Sequence, residues 1–162
     1  MEQQKPKFNI GTITHLTCYS TLITFGSLVV GEIIDLTIIS LSVFPSQIAM
    51  ILGGLLIILG TLLTVWTHSH GKDYSKGRKE HKLYVDDLSH GPYKFSRNPH
   101  HLGLGILVIG IAIFINSLAL IATTVVSALI VHFFFIEKEE KILHERHGHS
   151  FEEYKSKTRK WL

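Results

Sequence analysis

The chain has 162 residues, with 16 Lys and Arg against 13 Asp and Glu and a mean hydropathy of +0.26. That length sets one domain. Its apolar residues gather in long blocks with the charge between them, which excludes an ordinary soluble globule built from amphipathic stripes and favours an integral membrane protein. The sequence pI near 9.0 does not indicate nucleic acid, because the basic residues sit beside the apolar blocks as topology signals do. The lone Cys18 excludes an intrachain disulfide.

Residues 1–9 are polar, with Lys5 and Lys7, and lead into a block from Thr14 to Ile34 that can extend to Phe44. The block is longer than a signal peptide requires and lacks a clear cleavage site, so it reads as an uncleaved anchor. Glu32 and Asp35 interrupt it and are expected near the far surface, with Leu36 to Phe44 as an interfacial extension or a tilted continuation. Pro45 ends it. The second block, Ile48 to Trp66, is a full crossing. Trp66 closes it at headgroup level, and Gly53, Gly54 and Gly60 offer close helix contact.

A polar segment from His68 to Asn98 follows. The third block opens at Pro99, a residue suited to a first helical turn, and ends near Ile115, short for a crossing. Asn116-Ser117 makes a tight connection to the fourth block, Leu118 to Ile136. From Glu137 the chain is charged, with a helical pattern. The fold class expected is therefore all-α: about four transmembrane helices and a cytoplasmic helical tail.

Orientation follows from the basic residues. Lys5 and Lys7 flank the start. Lys72, Lys76, Arg78, Lys79, Lys82, Lys94 and Arg97 fill the middle segment, and Lys138, Lys141, Arg146, Lys155, Lys157, Arg159 and Lys160 fill the tail. The two other connections carry none. The positive-inside rule then puts N-terminus, middle segment and C-terminus in the cytoplasm.

Two polar clusters bracket the last hairpin and so return to one membrane surface. In the first, Arg97 and Asn98 stand at the mouth of the third helix, whose free N–H groups and dipole favour an anion. Alone, Arg97 could equally anchor to lipid headgroups. His100 and His101 follow; either can hydrogen-bond or accept a proton near neutral pH. His100 is expected to face headgroups and His101 a ligand. In the second cluster, Glu139 and Glu140 can hold a diol or an ammonium group, while Glu137 reads as surface. The histidines His68, His70, His144, His147 and His149 lack the cysteine or well-spaced carboxylate of a zinc site, so no metal is assigned.

Together the clusters resemble the two motifs of the integral-membrane methyltransferases, a superfamily that includes isoprenylcysteine carboxyl methyltransferase and the phospholipid N-methyltransferases. The first is Gly91-Pro92-Tyr93 with Arg97-Asn98-Pro99-His100-His101-Leu102-Gly103. The second is Glu139-Glu140-Lys141-Ile142-Leu143 with Gly148, Phe151 and Tyr154, ending in Arg159-Lys160-Trp161. The similarity covers about the last hundred residues. His101 replaces a family tyrosine, His147 a phenylalanine and Phe151 a tyrosine.

The resemblance implies S-adenosylmethionine as methyl donor and a lipophilic or lipidated acceptor, a carboxylate, amine or thiol, drawn from the membrane lipids. It assigns cofactor binding to Tyr93, Arg97, Asn98, Pro99, His101, Gly103, Glu139 and Glu140, and catalytic roles to Arg97, His101 and Glu140. Arg97 and the helix start would hold the cofactor carboxylate, the two glutamates its ribose or ammonium. Residues 1–67 then form an N-terminal helix pair and 68–162 the cofactor-binding core of a single membrane domain. The rivals are a non-catalytic lipid- or metal-binding membrane protein and an NADPH-dependent membrane reductase. Oligomeric state is not legible in the sequence.

Overall fold

The computed structural model describes residues 10–38, 40–76 and 90–162. The polar N-terminus (residues 1–9) and much of the basic middle segment, including Arg78, Lys79 and Lys82, lie outside the described residues. All regular structure among those described is helical. Two long helices, α1 (Ile10–Thr37) and α2 (Ser46–Lys76), precede a 3₁₀ turn at Gly91–Lys94, then α3 (Pro99–Ile115) and α4 (Leu118–Ile130). A π-helical turn, Val131–Ile136, carries α4 without a break into α5 (Glu137–His147), and α6 (His149–Lys157) closes the chain.

Helices are what a lipid-embedded chain must form, because only they satisfy the backbone within each crossing segment. Three are long and apolar enough to span: Thr12–Thr37, Ser46–His70 and Leu118–Glu145. The fourth apolar helix, α3, has 17 residues and is about 26 Å long. Large apolar side chains face outward, as Leu22, Val29, Ile51 and Leu62 do, while many of the buried positions carry small or polar residues.

On α1 the buried face is Ser20, Thr24, Ser27 and Gly31, spaced four, three and four apart. On α4 and the first residue of the π turn it is Leu120, Thr124, Ser127 and Val131, in the same rhythm. The two stripes pack together: a Cβ on Gly31 would lie 2.8 Å from Leu120 Cα. Helices α2 and α3 are seamed by glycine. Gly53 backs onto the Phe114 backbone, Gly60 onto Gly103 and Leu107, and Gly110 onto Ile57. Van der Waals packing drives helix association in lipid, so small residues that let backbones approach are favoured at such seams. Gly54, expected to share this role, faces open space instead.

Two expected boundaries move. Helix α1 stops at Thr37, and residues 40–44 do not continue it. Instead Asn116, in a left-handed conformation at the end of α3, accepts from the N–H groups of Val43 and Phe44 and donates to the Phe44 carbonyl. These bonds give an irregular segment the partners a helix would otherwise supply. Asp35 accepts from the Ser117 hydroxyl at the same end of the bundle. The polar segment expected from His68 begins as helix: α2 runs to Lys76 and places Thr67 and His68 at the other end of the bundle.

Candidate active site

At that other end, residues of α1, α2, α3, α5 and α6 line a cavity of about 530 Å³, within the usual range for a small-molecule site. Its walls include Thr14 and Thr17 of α1, Thr67 and His68 of α2, Tyr93, Arg97, Pro99 and His101 around the start of α3, Glu139, Glu140 and Leu143 of α5, and Phe151 and Tyr154 of α6. Asn98 and Leu143, from the two motifs, line the same space.

The π turn is what aims the glutamates. Buried positions on the continuous α4–α5 rod fall at Leu120, Thr124, Ser127 and Val131, then at Ile136, Glu139 and Ile142. The step from Val131 to Ile136 is five residues, one more than an α-helical turn takes, and matches the i→i+5 bonding of a π-helix. A regular α-helix would instead turn Phe134 or Phe135 and then Lys138 inward. With the extra residue, Glu139 is buried and accepts from the Thr17 hydroxyl at 3.0 Å.

Glu140 meets Arg97. Arg97 Nε lies 3.3 Å from Glu140 Oε1, an ion pair joining the two motifs. The contact is close enough for charge pairing, but its angle makes no hydrogen bond, and both atoms are buried without a hydrogen-bond partner. A buried ion pair with unmet hydrogen-bonding capacity on both members is primed for a ligand carrying both signs of charge. The aromatic rings of Tyr93, Phe151 and Tyr154 supply apolar wall beside it. Burial, and second the charge of Glu139, hold the Tyr93 phenol above its ordinary pKa, so it lines the cavity as a neutral donor.

The tail is built into the site through its backbone. Arg97 N–H donates to the Arg159 carbonyl at 2.9 Å, while the Ser96 hydroxyl and the Asn98 amide both donate to the Lys160 carbonyl. Trp161 packs against His132 with tilted rings, centroids 5.6 Å apart. Gly148, at φ 53° and ψ −124°, breaks the tail helix in two, a backbone conformation that glycine adopts without Cβ strain. The break folds α6 back, and the Tyr154 hydroxyl reaches the Tyr93 carbonyl at 2.8 Å.

Of the eight residues assigned to cofactor binding, seven line the cavity: Tyr93, Arg97, Asn98, Pro99, His101, Glu139 and Glu140. Gly103 stands apart. A Cβ there would press on Thr64 of α2, so helix packing accounts for it. Asn98 spends its side-chain amide on the tail. His100, expected to face headgroups, also lines the cavity, with Nε2 3.4 Å from the Thr21 hydroxyl. Glu137 is exposed and pairs with Lys160 at 3.7 Å. His144 is exposed and pairs with Glu152 at 2.9 Å, and among the described residues no three His, Cys, Asp or Glu gather as metal ligands.

What motif reasoning missed is α1. Thr17 grips Glu139, and the Ser20 hydroxyl lies 2.8 Å from His101 Nε2. Helices α1 and α2 are therefore part of the site's wall. The legible signal was the run Thr17, Ser20, Thr24, Ser27, Gly31: small and polar residues in three–four rhythm through an apolar block.

Residues 48–150 match the sequence profile of the phospholipid methyltransferase family. The chain belongs to that family. It is also similar to phosphatidylethanolamine N-methyltransferase B of Dictyostelium discoideum, 28% identical over 101 residues that cover 59% of this chain and 50% of the relative. The chain thus spans about half the length of the curated relative it matches. No solved structure matches it significantly. The family match begins in α2, so α1 and its contacts with Glu139 and His101 lie outside it.

Proposed function

We propose that this member of the phospholipid methyltransferase family transfers a methyl group from S-adenosylmethionine to a membrane-embedded acceptor, an amine-bearing phospholipid. The observation that carries the proposal is the meeting of Arg97 and Glu140, from motifs more than forty residues apart, as a buried ion pair in one cavity. The donor set suits the cofactor: a guanidinium for its carboxylate, carboxylates for its ammonium and ribose hydroxyls, and aromatic faces for its adenine. When bound, the cofactor supplies an electrophilic methyl on a sulfonium. The residues of the chain hold and align the reactants, exclude water through the tail, and accept the proton that a lipid ammonium must lose before its nitrogen can attack. The name of the Dictyostelium relative supports an amine acceptor.

Four crossings, with α3 as the short one, and a cytoplasmic cavity mouth fit the basic residues at this end: Lys94 and Arg97 before α3, and the Lys- and Arg-rich tail after α4. The test has two parts. Calorimetry of the purified protein with S-adenosylhomocysteine should show binding that Arg97→Ala and Glu140→Ala weaken. Radiolabelled methyl transfer should be seen with phosphatidylethanolamine among a panel of lipids and prenylated thiols. Absence of binding by the parent protein sinks the enzyme proposal; transfer confined to thiols sinks the amine.

A further inference from the structure

The Ser20 hydroxyl has one hydrogen and two neighbours. It lies 2.9 Å from the Thr17 carbonyl of its own helix and 2.8 Å from His101 Nε2. A carbonyl can only accept, so the Ser20 hydrogen goes to Thr17. For the second contact to be a hydrogen bond, the proton must sit on His101 Nε2, with Ser20 Oγ accepting. A neutral imidazole protonated at Nε2 carries its lone pair at Nδ1. Ser20 is fully buried and His101 nearly so, which shields the bond from competing water. Among the described residues Ser20 is the hydrogen-bond partner of the His101 ring, and His101 itself lines the cavity.

We infer that Ser20 is a positioning residue that locks His101 as the Nε2–H tautomer, so that Nδ1 takes the proton from the lipid amine. This rests on the amine acceptor proposed above. In that step an N–H bond of the lipid ammonium breaks, its electron pair stays on nitrogen, and the proton forms a new N–H bond at Nδ1, leaving a neutral amine and an imidazolium. Ser20 suits both states, since Nε2 donates to it before and after the transfer. A neutral imidazole with its lone pair at Nδ1 is an acceptor that such a step can use. The serine that sets its tautomer comes from α1, outside the family-matched residues.

The test reads the tautomer directly, by nitrogen-15 NMR of histidine-labelled protein in nanodiscs, with His101→Gln to assign the signal. The parent should show the Nε2–H pattern. Ser20→Ala should give a mixture, and Ser20→Thr, which keeps the hydroxyl, should restore the parent pattern. On vesicles of phosphatidylethanolamine and phosphatidylcholine, Ser20→Ala should lower kcat about tenfold while KM and S-adenosylhomocysteine affinity stay within about twofold. An Nδ1–H pattern in the parent overturns the inference, as does a Ser20→Ala protein with unchanged kcat or with losses shared equally by cofactor affinity and thermal stability. If the parent methylates no lipid amine, the acceptor proposal falls, and the NMR pattern still decides whether Ser20 sets the tautomer.

Discussion

Replacing Arg97 by alanine removes the cationic wall of the cavity and leaves Glu140 without its ion-pair partner. The two side chains are 10% and 16% exposed, so the carboxylate keeps only slight contact with water. Stranding it costs about 1–3 kcal/mol of stability, the range for a buried group that loses its partner. The loss to binding is separate. An arginine that gives a ligand carboxylate charge-assisted hydrogen bonds contributes about 1.5–3 kcal/mol, which is about 10- to 150-fold in Kd. Calorimetric titration of the protein in nanodiscs with S-adenosylhomocysteine reads the second term, and thermal unfolding of the same sample reads the first. Arg97→Lys should fall between parent and Arg97→Ala, because an ammonium keeps the charge but not the planar fork. Glu140→Gln should spare much of the stability and still weaken binding. An Arg97→Ala protein that folds and binds within about threefold of the parent refutes the assignment of Arg97 to the cofactor.

Tyr93 should mark the alkaline limit of stability. Its folded pKa is raised above the ordinary 10.0 and the group is neutral when protonated, so its contribution is complete below pH 10 and is lost as pH rises through the folded value. Tyr93→Phe should flatten that decline in a pH series of thermal melts; an unchanged slope contradicts the burial of the phenol. Gly60→Ala would set a methyl against the Leu107 backbone and should cost about 1–3 kcal/mol, while Gly54→Ala, facing open space, should be neutral. Equal melting temperatures for the two would mean that α2 and α3 are not seamed there. Inserting an alanine after Phe134 should rotate α5 by about 100° and abolish S-adenosylhomocysteine binding, whereas deleting Phe134 should convert the π turn to α and keep Glu139 inward. The opposite pattern would show that the π turn does not set the phase of the glutamates.

The sequence by itself determined the membrane class and the order of the apolar helices, because block length and hydropathy act locally on each segment. It also determined that the Arg97 and Glu139-Glu140 clusters meet at one end of the bundle, since two consecutive antiparallel helices return the chain to the end it left. The start of α3 at Pro99 and its end at Ile115 were legible for the same reason: proline and the turn at Asn116 are local signals. Which side chains reach the cavity was decided only by the tertiary structure. Glu139 faces inward because a single extra residue in the Val131–Ile136 turn shifts the register of everything after it, and such a shift leaves no mark in composition. Ser20 and Thr17 reach the site because α1 packs on α4 along matched small-residue stripes, bringing into contact residues more than eighty positions apart. Hydropathy fixes how far a helix extends through the bilayer; its rotation about its own axis is fixed only by what it packs against.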